Sequence, residues 1–538
     1  MKYTFFVLTI YSVFSVFSAS AQTLKRIGDI NPGAGNSISS EENIVIAYKG
    51  KFIFTANDGQ IGYEVWISDG DTTALLKDIY TGPGSSKPQN YYLMGGKVLF
   101  TAQDSAHGVE WWSTDGTPEG TQLVRDIFPG IYPGVRTGID NRRLFGILNG
   151  NLYFSGANRS DDYELWKTNG TYEGTVLVKN ITPDGFSNFS SYPEDYAAHK
   201  GFLYFTCREG FWRTNGTAGG TTLVEDEDPE DVFGLEPQDL ISNGTYLFFI
   251  QNGDLWRSDG SAVGTIKIKD MGDVGLNWFG NRFAVLGDNI LFPASDPTHG
   301  DELWRSDGTP EGTYMVIDLD PGFDGYAPQN QVVLKDKLYY KGDNGSTGIE
   351  FWSSDGTPEG TTLVKDISPG SSSGFYLPTE IYTNGNFIVM NAGAAFEKEL
   401  WISDGTTNGT VKMDINPNGQ SNPSSFHAMG DTIFFFATTP EFGSEPYILD
   451  MSTTSSKEIP LAIPVKLFPN PSNGLVYMHS ESQTTLQHSL IDMNGKLIIP
   501  PFTGDMIDLT PYPAGVYFLK STSKSSGEFT FNKLVRME

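Results

Sequence analysis

The sequence predicts an all-β protein: a large β-propeller followed by a small β-sandwich. Three observations predict it. Aromatic anchors recur at near-even spacing. They are Trp66, Trp112, Trp166, Trp212, Trp256, Trp304, Trp352 and Trp401, with Tyr447 in a ninth place, at intervals of 46, 54, 46, 44, 48, 48, 49 and 46 residues. One segment is written almost unchanged at 110–130, 302–322 and 350–370, the last reading EFWSSDGTPEGTTLVKDISPG, with looser copies between. The composition, 61 Gly and 30 Pro in 538 residues with 13% aromatics, suits short strands and tight turns rather than helices. A period in the forties with several short strands per unit marks a propeller blade.

In chain order, residues 1–21 read as a secretory signal peptide. Lys2 is the positive flank, 5–17 an apolar run too short to span a bilayer, and Ala19-Ser20-Ala21 a small-x-small cleavage pattern. The mature chain is expected to begin at Gln22 and to carry no transmembrane segment.

Residues 22–450 form the propeller. The unit around Trp352 offers a strand at 331–334, a Lys-Asp turn, a strand at 337–341, a variable loop, a strand at 350–354, the DGTPEGT turn and a strand at 362–367. The first turns are expected to be two-residue hairpins, as at Asn149-Gly150 and Asn384-Gly385, because Asn and Gly tolerate positive φ. Alternation is muddy within these strands, as expected where blades pack face to face. In the DGTxxGT segment Asp can accept backbone amides two residues on, Gly can take the left-handed conformation and Thr can cap. The reading is a self-bracing turn; a repeated cation or ligand site is the alternative.

The two ends of the repeat fit together. Residues 24–33 (LKRIGDINPG) match only the last quarter of a unit, and the final unit, 426–450, has three strands and stops. The N-terminal strand is therefore expected to complete the last blade, which leaves no open edge. Nine fourth-strand segments are marked by Asp29, Asp78, Asp126, Asn180, Asp226, Asp270, Asp318, Asp366 and Asp414. This predicts nine blades; eight with one distorted unit is the alternative.

Residues 451–464 read as a linker. Residues 465–538 read as a second β unit of six or seven strands, with turns at Asn494-Gly495 and Pro513-Ala514-Gly515.

A net charge of −29 excludes nucleic acid as a partner and suits an exported protein or one that holds cations. Cys207 is the single cysteine, so there is no internal disulfide; it is expected to be buried in its strand. No HExxH, GxSxG or phosphate loop is present. His107 and His299 occupy equivalent places before a third strand, His199 and His427 lie in first strands, and His479 and His488 fall in the tail. Glu64, Glu110, Glu164, Glu302, Glu350, Glu399 and Glu445 recur before the anchor aromatic. Paired carboxylates can hydrolyse glycosides, yet seven copies point to a repeated structural bond. The variable loops at 57–62, 103–108, 295–300 and 343–348 share a face with the blade-to-blade connections. They carry Asp58, Asp104, Asp296 and Asp343, the candidate ligands for a Ca²⁺ ion. No other cofactor is expected.

Two resemblances follow. The repeat ELWxSDGTxxGTxLVKDIxPG resembles the ELWxxDGT repeat family of exported bacterial proteins over about four-fifths of the chain. Trp212 and Trp256 lack the preceding Glu, and Tyr447 replaces Trp. The family label implies no chemistry. The tail is similar to the type A C-terminal sorting domain of the type IX secretion system. The likeness rests on Leu467-Phe468-Pro469-Asn470-Pro471 with Asn473-Gly474, Asp492-Met493-Asn494-Gly495-Lys496, Leu509, Pro513-Ala514-Gly515-Val516-Tyr517 and Lys533-Leu534-Val535. It assigns the sorting signal to Pro469, Asn470, Pro471, Gly474, Gly495, Gly515, Tyr517 and Lys533. It implies an Ig-like sandwich, a Gram-negative source, Sec export and then passage through the type IX machinery. It also implies removal of the tail by a sortase-like peptidase, leaving the protein at the cell surface or released. The expected function is a non-enzymatic secreted or surface binding and adhesion protein recognising a polysaccharide or a protein. An exported polysaccharide hydrolase or lyase and a structural envelope component are the alternatives.

Overall fold

A computed structural model describes residues 23–38, 44–138, 143–160, 162–182, 190–224, 237–271, 283–296, 298–321, 328–376, 380–452, 465–470, 472–480, 486–492, 497–523 and 529–537. The predicted signal peptide, most of the predicted linker, Asp226, Pro471, Asn494 and Gly495 lie outside the described residues. The chain divides into two compact units, one ending at Met451 and one beginning at Ser452.

Among the described residues the first unit holds nine four-stranded antiparallel sheets and no helix. Eight are sequential meanders: blades 1 to 8 start at Val45, Gln89, Phe145, Glu194, Gln238, Ala284, Gln329 and Ile381. The ninth is composite. Ser424–Met429, Thr432–Thr439 and Gly443–Asp450 supply three strands, and Thr23–Arg26 supplies the fourth. Thr23 pairs with Asp450 and Arg26 with Tyr447. The prediction of nine blades closed by the N-terminal strand holds.

Nine hydrophobic cores, one at each junction, turn these sheets into a closed ring. Phe52 and Phe54 of blade 1 pack on Phe434 and Phe436 of blade 9, with Phe54 and Phe434 ring centroids 4.9 Å apart. Val389 and Ile402 of blade 8 meet Phe435 and Leu449 of blade 9. Clusters spanning blades 1–2, 2–3, 3–4, 4–5, 5–6, 6–7 and 7–8 complete the circuit. Second strands are buried on both faces, as in Leu247–Gln251, which explains the weak alternation in the sequence. The fourth strands run two to five residues in blades 1 to 8 and are more exposed, which keeps their free edges short.

The DGT segment is a turn braced by its own side chains. Asp355 Oδ1 accepts the N–H of Thr357 at 3.0 Å and its hydroxyl at 2.6 Å. Thr357 Oγ1 accepts the N–H of Gly360, and Thr361 Oγ1 donates to the Thr357 carbonyl. Gly356 has φ +85°, which an L residue with a Cβ rarely adopts. The same bonds recur around Asp115, Asn169, Asn215, Asp259, Asp307 and Asp404.

The first turns are mixed, and one expectation is corrected. Asn149-Gly150 is a two-residue turn with both φ positive, between paired Leu148 and Asn151. Asn384-Gly385 is not: Thr383 pairs with Ile388, so the loop has four residues. The Asn384 side chain explains it, because its Oδ1 accepts the N–H groups of Asn386 and Phe387 and stabilises the wider loop.

Among the described residues the second unit is a sandwich of seven strands in two sheets. One holds Val465–Phe468, Leu475–Ser480 and Met506–Asp508; the other holds Leu497–Phe502, Leu486–Asp492, Gly515–Ser523 and Phe529–Arg536. Val476, Met478, Leu490, Leu519 and Leu534 form its core.

Candidate functional site

The loop face is built by a repeated carboxylate clamp. Each connection between blades must turn back across the sheet edge, and its amides need acceptors. The glutamate before the anchor aromatic supplies them. Glu64 accepts Ile79 N at 2.8 Å, Ser86 N at 2.9 Å and Ser86 Oγ at 2.6 Å. Glu164 accepts Ile181 N and Ser191 Oγ; Glu399 accepts Ile415 N and Ser421 Oγ. Glu350 accepts Ile367 N and Ser368 N, Glu110 accepts Phe128 N and Glu302 accepts Asp320 N. Glu445 reaches across the closure to Ile30 N and Asn31 N. All seven side chains are buried. Burial pushes the Glu110 carboxyl up to about 8 and those of Glu302, Glu350 and Glu445 to about 7. Glu64, Glu164 and Glu399 are raised for the same reason. Blade 5 lacks the glutamate, and Asp254 Oδ1 takes over by accepting Met271 N at 2.9 Å. The DLW spelling carried that signal.

Basic residues tie the opposite, turn-bearing side. The residue after the anchor tryptophan reaches the next blade's DGT glycine carbonyl: Lys167 to Gly216 at 2.9 Å, Arg213 to Gly260 at 2.7 Å, and Arg305 to Gly356 at 3.2 Å. Lys77, Arg125 and Lys179 reach Thr121, Thr175 and Thr221 carbonyls in the same way. The recurring cations thus serve the blade joints.

The four predicted calcium ligands are not brought together. Asp58 caps its own loop by accepting Gln60 N and Ile61 N. Asp104 accepts Ala106 N, His107 N and His107 Nδ1, and Asp343 accepts Gly345 N. Asp296 ends the strand Asn289–Asp296, paired with Gly300. These residues belong to blades 1, 2, 7 and 6. Among the described residues no group of three or more His, Cys, Asp and Glu side chains is placed to hold a metal ion.

Aromatic side chains gather on the loop face over blades 2 to 4. Phe128 and Tyr132 stack at 4.9 Å on the connection from blade 2 to blade 3, and Tyr132 is 54% exposed. Tyr163 and Tyr192 stack at 5.6 Å, and the Tyr163 hydroxyl reaches the Pro133 carbonyl. Arg136 lies 5.0 Å over the Tyr192 ring and pairs with Glu194 at 2.7 Å. In blade 3 a cavity of about 170 Å³ is lined by Asn158, Arg159, Asp162, Glu164, Trp166, Leu177 and Asn180. Sequence reading missed this group, because its members come from loops with no shared spelling.

In the second unit several of the residues expected to form the sorting signal hold its loops and strands together. Asn470 Nδ2 donates to the Lys533 carbonyl at 2.6 Å, and Asn470 Oδ1 accepts Val535 N at 2.9 Å. Pro469 precedes it through a cis bond from Phe468. The Gly474 carbonyl accepts Leu509 N, and a Cβ on Gly474 would collide with Thr510. Gly515 opens the strand Gly515–Ser523, opposite Arg536. The Tyr517 hydroxyl donates to the Pro513 carbonyl at 2.7 Å, and Lys533 pairs with Phe518 in register. Ser472, absent from the predicted set, holds the same loop: its N–H donates to the Val535 carbonyl and its carbonyl accepts Met537 N.

Residues 466–536 match the family model of the secretion system C-terminal sorting domain. That tail marks the chain for export by type IX secretion, to the cell surface or the extracellular space, and implies contact with the secretion machinery. No curated protein matches the chain significantly. Solved structures similar to it include PorZ, an essential bacterial surface component of the type-IX secretion system of Porphyromonas gingivalis. The likeness covers 92% of this chain and 75% of that one, at 11% identity and TM-score 0.35. The extracellular domain of the putative one component system BT4673 from B. thetaiotaomicron is similar over 94% and 76%, at 10% identity and TM-score 0.34. AztD of Citrobacter koseri is similar over 60% and 85%, at 13% identity and TM-score 0.34.

Proposed function

We propose that this is a secreted or cell-surface binding protein whose propeller recognises a polysaccharide or a surface protein through its loop face. The observation that carries the reading is the paired aromatic set Phe128–Tyr132 and Tyr163–Tyr192, with Arg136 beside it, on variable loops and connections held by rigid blades. A half-exposed tyrosine braced from behind offers an apolar ring face and a polar edge, which suits the CH face and hydroxyls of a sugar. The recurrent glutamates do not favour a hydrolase. They are buried and engaged by backbone amides, which is the repeated structural role.

On this reading residues 22–450 are the ELWxxDGT-type recognition module, 1–21 a cleaved Sec signal, 451–464 a linker, and 465–538 a tail removed by a sortase-like peptidase. Pro469, Asn470, Pro471, Gly474, Gly495, Gly515, Tyr517 and Lys533 serve as its sorting signal. Calcium at Asp58, Asp104, Asp296 or Asp343 belongs to the proposal as a rim effect on binding.

The test is a binding screen of the purified protein against polysaccharides and bacterial surface fractions, with calcium and then with EDTA. Saturable binding that weakens in Tyr132→Ala and Tyr192→Ala supports the reading. Release of new reducing ends would replace it with the hydrolase or lyase. Binding to nothing would leave the structural envelope role.

A further inference from the structure

The outer face of the three-stranded tail sheet carries a row of large apolar side chains between the polar His479 and Asp508. Along Leu475–Ser480 the side chains alternate, with Val476 and Met478 in the core and Leu475, Tyr477 and His479 outward. Such a strand normally presents polar residues to solvent. Here Phe468 pairs with Tyr477 in register, and Tyr477 pairs with Met506. One row of large apolar side chains therefore crosses all three strands. Phe468 is 54%, Tyr477 45% and Met506 46% exposed, with Leu475 beside them at 46%. The Phe468 and Tyr477 rings stack at 5.9 Å, so the row presents a continuous surface. Single exposed apolar residues need no explanation, but a contiguous patch marks an interaction site.

We propose that the row Phe468–Tyr477–Met506, flanked by Leu475, is the surface by which the tail docks on an apolar groove of the type IX secretion machinery. The proposal rests on the reading of the tail as an export signal. Three observations commit it to that occupant. The whole row lies inside residues 466–536, the stretch that matches the sorting domain. The row is continuous with the staple of that stretch: Phe468 directly precedes Pro469 and Asn470, and Asn470 is pinned to Lys533 and Val535. The charge agrees as well. Residues 466–536 hold six Lys and Arg against five Asp and Glu, while the entire chain stands at −29. With so little net charge the tail offers no strong field to steer a charged partner, which leaves the apolar row as its distinctive surface.

The experiment expresses the full chain in a bacterium with a working type IX system and in the same strain with the system disabled. The variants are Phe468→Ser/Tyr477→Ser/Met506→Ser and the single Tyr477→Lys. Secreted and periplasmic pools are measured, and the fold of each retained pool is read from protease resistance of the tail. The triple variant is expected to remain folded in the periplasm, with secretion reduced roughly tenfold or more. Tyr477→Lys alters none of the buried core residues and should be retained as well, so a misfolded triple variant leaves the single one to decide. Secretion of either folded variant at the wild-type level overturns the proposal. A wild-type dimer lost in the variants, with secretion unchanged, also overturns it and makes the row a surface for a second copy. Wild type retained in the intact strain overturns the export reading itself, and the docking surface falls with it.

Discussion

Glu350 Oε2 accepts the backbone N–H of Ile367 at 2.6 Å, although Glu350 opens one strand and Ile367, 17 positions on, lies just past the next. That bond fastens the start of the blade 7 to blade 8 connection to the third strand of blade 7. The same relationship recurs in most blades and crosses the ring closure between Glu445 and Ile30. Replacing Glu350 by Ala strands the Ile367 and Ser368 amides in a buried place. It should destabilise the propeller by about 2–4 kcal/mol, with Glu350→Gln costing markedly less because it keeps an acceptor. Urea unfolding followed by tryptophan fluorescence measures both, and equal midpoints for Ala and wild type would refute the clamp.

The clamp also sets a pH dependence. Burial raises the folded-state values of these carboxyls above the ordinary 4.5, to about 7 in Glu302, Glu350 and Glu445 and about 8 in Glu110. Between those limits the folded ring binds protons that the unfolded chain has released, so stability falls as pH rises through the window. Thermal midpoints should decline from pH 5 to pH 8. Self-repulsion of a chain at −29 acts in the same direction. Glu110→Gln separates the two, since it should flatten the slope and leave the variant relatively more stable than wild type at pH 8. A slope unchanged in that variant would assign the effect to net charge.

Gly134 stands where Ser86, Ser191, Ser421 and Ser37 stand in other blades. Each donates its N–H to the carbonyl of the residue before the clamp glutamate. The Ser86, Ser191 and Ser421 hydroxyls donate to the clamp carboxylate. Gly134 has no positive φ, and the three atoms nearest a Cβ there belong to the buried Glu110 carboxyl, which must move aside to receive the hydroxyl. Gly134→Ser should therefore add a hydrogen bond worth about 0.5–1.5 kcal/mol and bring the Glu110 value down. A lower thermal midpoint would mean that Glu110 cannot shift as Glu64 does.

Removing residues 22–31 should open the ring. The edge of Gly443–Asp450 would lose its partner, and Glu445 would lose the amides of Ile30 and Asn31. An unpaired strand edge invites pairing with another chain. Sedimentation should show self-association and calorimetry a lower midpoint. A monomer with an unchanged midpoint would show that blade 9 stands without its fourth strand.

The sequence by itself determined the fold. The spacing of Trp66 through Tyr447 counted the blades, and the orphan quarter at 24–33 set the closure, because a repeat that is out of phase at its two ends can only be completed by joining them. The DGT turn was legible for a local reason: Asp355, Thr357 and Thr361 bond within seven residues, so the spelling contains its own partners. Asn384 shows the limit of that legibility, since one side chain accepting two amides outweighed the two-residue turn its dipeptide suggests. The tertiary structure decided everything that depends on residues distant in sequence. It showed what the glutamates hold, let Asp254 replace one of them, and kept Asp58, Asp104 and Asp343 in separate loops. It alone gathered Tyr132, Tyr163 and Tyr192 on one face and aligned Phe468, Tyr477 and Met506 across three strands. Loop and cross-strand neighbours are set by how strands pair and blades close, and no local spelling records them.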